Sequence, residues 1–250
     1  MKKILLPLLL CIITFSGFAQ NDTVFFMRHG MIVYQKALSE IDSMVFYRPT
    51  INPHGSFLDI RDSTLYPTII IGNQLWMAEN LKYLPAVSIP SNGSTTDPHY
   101  YVSNYWGTDP LQAKASCSYD EYGVLCNHSA ATIACPPGWH LPSKAEFDTL
   151  SLFLGGDSLS GKKLKEIGFL HWNAPNTSAD NLSEFNGLPG GNRDPVQFTF
   201  FNLGNIGYFW CSNSPLNGSA WNKKLTFNTT TFTSQIERID NGYSVRCVAN

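Results

Sequence analysis

Charged side chains are scarce in this chain of 250 residues: Asp, Glu, Lys and Arg make up 14%, and the formal net charge is −2. A near-neutral surface offers no electrostatic footprint for nucleic acid or for an anionic membrane. After Ala19 no apolar run approaches the ~20 residues of a membrane-crossing helix, so no transmembrane segment is expected beyond that point. Motifs that carry chemistry are missing as well. There is no Gly-x-Ser-x-Gly elbow, no His-Glu-x-x-His helix, no phosphate-cradling glycine loop and no Cys-x-x-Cys pair. The six histidines are scattered. No cofactor or metal is therefore expected, and the chain reads as non-enzymatic.

What is present begins with Met1 to Ala19, which has the layout of a secretory signal peptide. Lys2 and Lys3 precede an apolar run from Ile4 to Ile13, and Gly17-Phe18-Ala19 places small residues at a cleavage site. Cys11 follows Leu10, where a lipoprotein would carry a small residue. The chain is thus expected to be secreted or displayed at the cell surface. An aromatic content of 13% suits a packed exported core. Cys117, Cys126, Cys135, Cys211 and Cys247 remain after cleavage, and an oxidising compartment makes disulfides their default state. The odd count leaves at least one thiol unpaired, and connectivity does not follow from sequence.

Residues 20–63 read as a small β unit and linker. Val24 to Arg28 and Met31 to Gln35 flank a His29-Gly30 turn, Ser39 to Tyr47 is a third candidate strand, and Arg48 to Ser63 is turn-rich. The main domain is expected over 64–250. It opens with Thr68 to Ile71 and Gln74 to Met77 around Gly72-Asn73, a hairpin with Trp76 facing the core. Leu84 to Pro110 reads as a long loop, and such loops often bind. Its Tyr100, Tyr101, Tyr105 and Trp106 form a candidate aromatic platform; the preferred alternative is that these rings pin the loop to the core.

Cys117 and Cys126 are close enough in sequence for a local disulfide. A small-residue helix is expected over Asn127 to Ala134. The stretch from Cys135 to Phe147 combines a tether at a Pro-Pro-Gly turn, the apolar anchor Trp139, and the capping box of Ser143 and Glu146. Phe147, Leu150 and Leu154 give the following helix one apolar stripe, which Gly155-Gly156 ends. Gly161 to Ile167 reads as a short basic helix whose lysines are solvated. Beyond it, short strands are expected at Gln197 to Phe201, Gly207 to Ser212, Ala220 to Phe227 and Thr231 to Ile236. Asp240-Asn241-Gly242 has the form of a hairpin turn into a last strand, in which alternation points Tyr243, Val245 and Cys247 inward. The favoured bridge joins Cys247 to Cys135, leaving Cys211 as the buried unpaired thiol.

Five ordered segments carry a resemblance. They are Ile71-Gly72-Asn73-Gln74-Leu75-Trp76-Met77-Ala78-Glu79-Asn80-Leu81, Cys135-Pro136-Pro137-Gly138-Trp139-His140-Leu141-Pro142, Gly161-Lys162-Lys163-Leu164-Lys165, Phe185-Asn186-Gly187-Leu188-Pro189 and Gly242-Tyr243-Ser244-Val245-Arg246-Cys247-Val248. Together they resemble the Fibrobacter succinogenes major paralogous domain. That family lends no reaction. Its motif order is similar to the C-type-lectin-like fold, which formylglycine-generating enzymes also use. The resemblance implies an α+β fold with loop-rich antiparallel sheets, two or three short flanking helices, and a last strand disulfide-linked to a helical region. Lectins of that fold hold calcium through carboxylate-bearing triplets. Here Ala174-Pro175-Asn176 lacks the carboxylate, and Trp221-Asn222-Lys223 has a cation in place of the acid. A formylglycine-generating-like copper oxidase would need paired cysteines, for which Cys211 and Cys247 are the candidates. The expectation is an exported, calcium-independent binding or surface module for a glycan or a protein, with a structural role in surface assembly as the alternative.

Overall fold

The computed structural model describes residues 23–28, 31–37 and 54–250. The expected signal peptide, the His29-Gly30 turn and the candidate strand Ser39 to Tyr47 lie outside the described residues. The chain divides into two units, Met1–Thr50 and Ile51–Asn250. In the first, β1 (Thr23–Arg28) and β2 (Met31–Ala37) pair antiparallel, with a register shift between Phe26 and Met27.

The second unit begins with β3 (His54–Asp59), β4 (Thr64–Ile71), β5 (Gln74–Met77) and the two-residue β6 (Tyr100–Tyr101). Then come α1 (Pro110–Lys114), α2 (Cys117–Tyr122), β7 (Leu125–Cys126), α3 (His128–Ala134), β8 (Trp139–His140), α4 (Lys144–Phe153) and α5 (Asp157–Leu164). The remaining strands are β9 (Gly190–Asp194), β10 (Thr199–Leu203), β11 (Ile206–Trp210), β12 (Ser219–Thr226), β13 (Phe232–Arg238), β14 (Tyr243–Ser244) and β15 (Val248–Ala249). One sheet runs β3-β4-β5-β15-β8. The other runs β10-β9-β11-β14-β7-β6, with β12 and β13 added beside β11. The fold is α+β.

Local chemistry explains most of these elements. Gly72 turns the β4–β5 hairpin at φ 67°, a conformation that costs glycine nothing. The α4 capping box is complete: Glu146 N donates to Ser143 Oγ at 3.2 Å, and Ser143 N donates to Glu146 Oε2 at 2.7 Å. Asp109 and Ser116 cap α1 and α2, two helices not expected from the sequence, so five helices are described rather than two or three. The segment read as linker supplies β3, which pairs with β4 from His54 opposite Ile69 to Asp59 opposite Thr64.

Helix α5 starts at Asp157, ahead of the expected Gly161, and ends before Lys165. Lys165 is therefore not on a solvated face. Its Nζ is buried and donates to the carbonyls of Thr177, Thr226 and Thr229 at 3.2, 3.1 and 2.9 Å. Gly161 is required where it stands, because a Cβ there would lie 2.3 Å from Thr231 O.

The closing segment departs from a single alternating strand. Every residue from Asn241 to Val248 is buried, so both faces point into protein. β14 lies between β11 and β7 in one sheet, and β15 lies between β5 and β8 in the other. Asp240-Asn241-Gly242 is consequently not a hairpin turn, since β11 and β12 stand between β13 and β14. Arg246, between the two short strands, is fully buried. Asn80 Oδ1 accepts from its Nε and Nη2 at 3.3 and 2.7 Å, and the carbonyls of Met77, Phe185 and Asn186 accept the remainder.

Cys135 and Cys247 are bridged, with Cα atoms 5.9 Å apart across 112 residues of sequence. The Cys117–Cys126 pairing is not formed. Helix α2 separates the two: Cys117 is exposed in its first turn, whereas Cys126 is buried in β7. Cys211 is buried and unpaired, as expected. Burial pushes both buried thiols upward, Cys211 to about 12, so they act as small apolar groups. Two apolar clusters are buried, and the bridge lies in one of them. Trp76 packs on Phe147 at 5.1 Å in one, and Trp139, of the other, packs on Phe57 at 5.2 Å.

Candidate functional site

The aromatic platform does not assemble. Tyr100 and Tyr101 are buried, and Tyr101 OH donates to Asn92 O at 2.7 Å while Arg193 lies over its ring at 5.0 Å. Tyr105 is half-buried and donates to Asp109 O. Only Trp106 reaches the surface, 58% exposed, with its ring set edge-on to Phe200. The rings pin the loop, because phenol-bearing side chains bury their bodies and spend their hydroxyls on nearby carbonyls.

The structure builds a groove elsewhere, between α4 and β12. The β12 residues alternate, so Trp221 and Lys223 share a face. Lys144 and Asp148 stand one turn apart on α4 and pair along its groove-lining side, with Lys144 Nζ 2.6 Å from Asp148 Oδ2. From beneath, the fully buried Lys223 holds Asp148 Oδ1 at 3.0 Å and Asp157 Oδ1 at 3.2 Å. Burial pushes the Asp148 carboxyl upward, but hydrogen bonds from Lys144 and Lys223 outweigh it and leave the group below its ordinary value. Lys144 Nζ also stands 5.3 Å from the centre of the half-buried Trp221 ring.

The Lys144–Asp148 pair divides the groove. A concavity of about 530 Å³ on one side is bounded by Trp221, Asn213, Ser214 and Pro215, and one of about 250 Å³ on the other by Ser151, Gly156 and Asp157. The 213–215 loop is held in place. Lys144 N donates to Asn213 Oδ1 at 2.7 Å, Trp221 N donates to Asn213 O at 3.0 Å, and Ser212 N donates to Pro142 O at 2.9 Å. Asn213 thus turns its oxygen to the helix, and its Nδ2 takes part in none of these bonds.

The sequence anchors flank this groove without entering it. Ser143 and Glu146 start α4, and His140 links Glu146 Oε1 at 2.7 Å to Asn250 Oδ1 at 2.7 Å. Glu146 is pushed upward by burial, but hydrogen bonds from Ser143 and His140 prevail and its carboxyl lies low. Lys144, Asp148 and Lys223 were missed as a group. The i, i+4 spacing on α4 was visible, but nothing in sequence said which strand would face that helix.

The two lectin-type triplets are held apart. Asn176 Nδ2 donates to the carbonyls of Glu166 and Gly168, and Thr177 N donates to Phe227 O. Phe227 is five positions along the chain from Asn222, roughly 16 Å at the rise of a strand. Cys247, bridged to Cys135, has no thiol to share with Cys211. A further cleft of about 370 Å³ has two of its acids paired internally, with His171 Nδ1 2.8 Å from Glu166 Oε2 and Lys82 Nζ 3.1 Å from Glu79 Oε2. Among the described residues, no group of three or more His, Cys, Asp or Glu is placed to hold a metal ion, and no helix is long and apolar enough to cross a membrane.

No curated protein and no solved structure matches the chain. The profile described as the Fibrobacter succinogenes major domain matches residues 69–249, from the β4–β5 hairpin through the closing segment that carries Arg246 and Cys247. Over that span, the chain belongs to the Fibrobacter succinogenes major domain family.

Proposed function

We propose that the protein is an exported, non-catalytic binding module that takes a glycan in the α4–β12 groove without calcium. One observation carries this reading: a partly exposed indole, Trp221, set beside fixed hydrogen-bonding groups in a concave site that mixes polar and apolar lining. Sugars present an apolar ring face rimmed by hydroxyls, and an aromatic ring framed by amide, ammonium and carboxylate groups complements both. The absence of calcium is argued from residue types, because Ala174 and Lys223 occupy positions where a lectin triplet would carry acids. A C-type-lectin-like architecture is part of the proposal. It draws support from the short sheets, the flanking helices and the bridge from the last strand region to the residue after α3.

A glycan array read with and without chelator tests the proposal. Binding unchanged by chelator and lost about tenfold or more in Trp221→Ala supports it. Chelator-sensitive binding, or binding indifferent to Trp221, overturns it. A second reading, a component of surface assembly, is favoured by the exposed Trp106, Phe198 and Phe201. Retention on native cell surfaces that Trp106→Ala abolishes and Trp221→Ala spares would move the function there.

A further inference from the structure

We propose that the loop from Glu166 to His171, with the cleft it borders, docks a basic, apolar polypeptide segment. Such a partner lays an aliphatic or aromatic side chain on Ile167, Phe169 and Leu170 and turns a Lys or Arg to the carboxylates beside them. This surface shares no lining residue with the α4–β12 groove and does not rest on the glycan reading.

The apolar half comes first. Ile167, Phe169 and Leu170 are 65, 66 and 82% exposed, three large apolar side chains within four consecutive residues. Apolar surface gathered in this way marks a contact site more often than a single exposed Leu does. The loop is also held. His171 Nδ1 lies 2.8 Å from Glu166 Oε2 and closes its neck. The buried Asn176 donates through Nδ2 to Glu166 O at 2.9 Å and to Gly168 O at 2.7 Å. The tip is therefore carried on a fixed backbone, which lowers the ordering cost of binding. Both neck residues line the cleft of about 370 Å³, so tip and cleft are continuous.

Charge names the partner. The cleft sets Glu79, Asp120, Glu121 and Glu166 against Lys82 and His171. Lys82 is taken by Glu79 and His171 by Glu166, while Glu121 stands 4.0 Å from His171 Nε2. Asp120 has no salt bridge among the described residues. Arg246 lies behind Asn80 and Asn186 and adds one buried positive charge. With Arg246 included and His171 counted as charged, one carboxylate is still in excess. The acids are also the outer groups: the side chain of Glu121 is 46% exposed and Asp120 is exposed, against 21% for Lys82 and 13% for His171. A Lys or Arg brought to Asp120 and Glu121 gains a charge-assisted bond. An anionic membrane would meet the same acids as repulsion, and a purely apolar partner would leave them unanswered.

The test pans a phage-displayed library of random dodecapeptides on the intact chain and measures the enriched peptides by fluorescence anisotropy. Enriched peptides should carry Lys or Arg beside Leu, Ile, Phe or Trp. Their affinity should fall about tenfold or more in Phe169→Ser/Leu170→Ser and again in Asp120→Asn/Glu121→Gln, weaken with salt, and be unchanged in Trp221→Ala. All four altered loop and helix positions are exposed, so neither double variant removes core. No enrichment, enriched peptides without basic residues, or binding that either double variant leaves unchanged overturns the inference. So does pelleting with phosphatidylcholine vesicles, or self-association in sedimentation, that Phe169→Ser/Leu170→Ser abolishes; these would give the tip to a membrane or to a second copy. The glycan array is unaffected by any of these outcomes, so the two readings fail separately.

Discussion

Arg246 and Lys165 are buried among neutral oxygens, whereas Lys223, buried as deeply, is held by two carboxylates at the floor of the groove. The difference lies in who can replace the cation. Around Arg246 the acceptors are Asn80 Oδ1 and interior carbonyls, with the rings of Phe185 and Phe209 at 4.1 and 5.7 Å. Burial pulls the Arg246 pKa down to about 9, and only the more distant Glu79 opposes it. Lys165 is likewise drawn down to about 8 by burial, with no carboxylate beside it. Interior carbonyls deprived of a donor stay unpaired, which is costly. Asp148 and Asp157 border open concavities, so water can take over from Lys223. Two of the buried cations thus hold backbone together, and the third holds two carboxylates at the edge of the groove.

Three substitutions sharpen this contrast. Arg246→Met should cost the most, at least about 3 kcal/mol, because several buried acceptors lose their donor at once; chemical denaturation measures it. A cost under about 1 kcal/mol would erase the distinction.

Lys165→Met should cost about 2 kcal/mol at neutral pH by the same argument, over three carbonyls. It also has a pH signature. The native pKa lies below the ordinary 10.5, so between about pH 8 and 10.5 the unfolded chain keeps a proton that the native chain has shed. Wild-type stability relative to Lys165→Met should therefore rise with pH across that window and be flat below it. A falling difference would show that the carbonyls hold the charged form more strongly than burial disfavours it.

Lys223→Met should cost least, about 1 kcal/mol, since Lys144 still pairs with Asp148 and water reaches Asp157. Its visible effect should be on the groove: having lost one of its two ammonium partners, the Asp148 carboxyl should titrate higher than in the wild type, as an NMR titration would show. If Lys223→Met instead matched Arg246→Met in cost, the groove floor would be core.

The sequence made part of this legible. The β4–β5 hairpin, α4 with its capping box, the strands β10 to β13 and the Cys135–Cys247 bridge follow from local signals: turn glycines, cap spacing, alternation and an inward cysteine. What escaped has a shared cause. Lys165, Lys223 and Arg246 look solvated in sequence, because a lone cation gives no sign that distant carbonyls or acids will gather around it. The acceptors of Arg246 come from residues 77, 80, 185 and 186, far apart along the chain. The α2 helix was hidden because the spacing of Cys117 and Cys126 suggested a local disulfide instead. The groove escaped because it depends on which strand faces α4, a fact of topology rather than of pattern.

The eight residues from Asn241 to Val248 supply a strand to each sheet, the guanidinium between them, and one half of the disulfide. Without this stretch both sheets would be open at an inner position and Asn80 would face an empty slot. A change that dislodges the segment therefore opens both sheets at once, so neither can loosen there on its own.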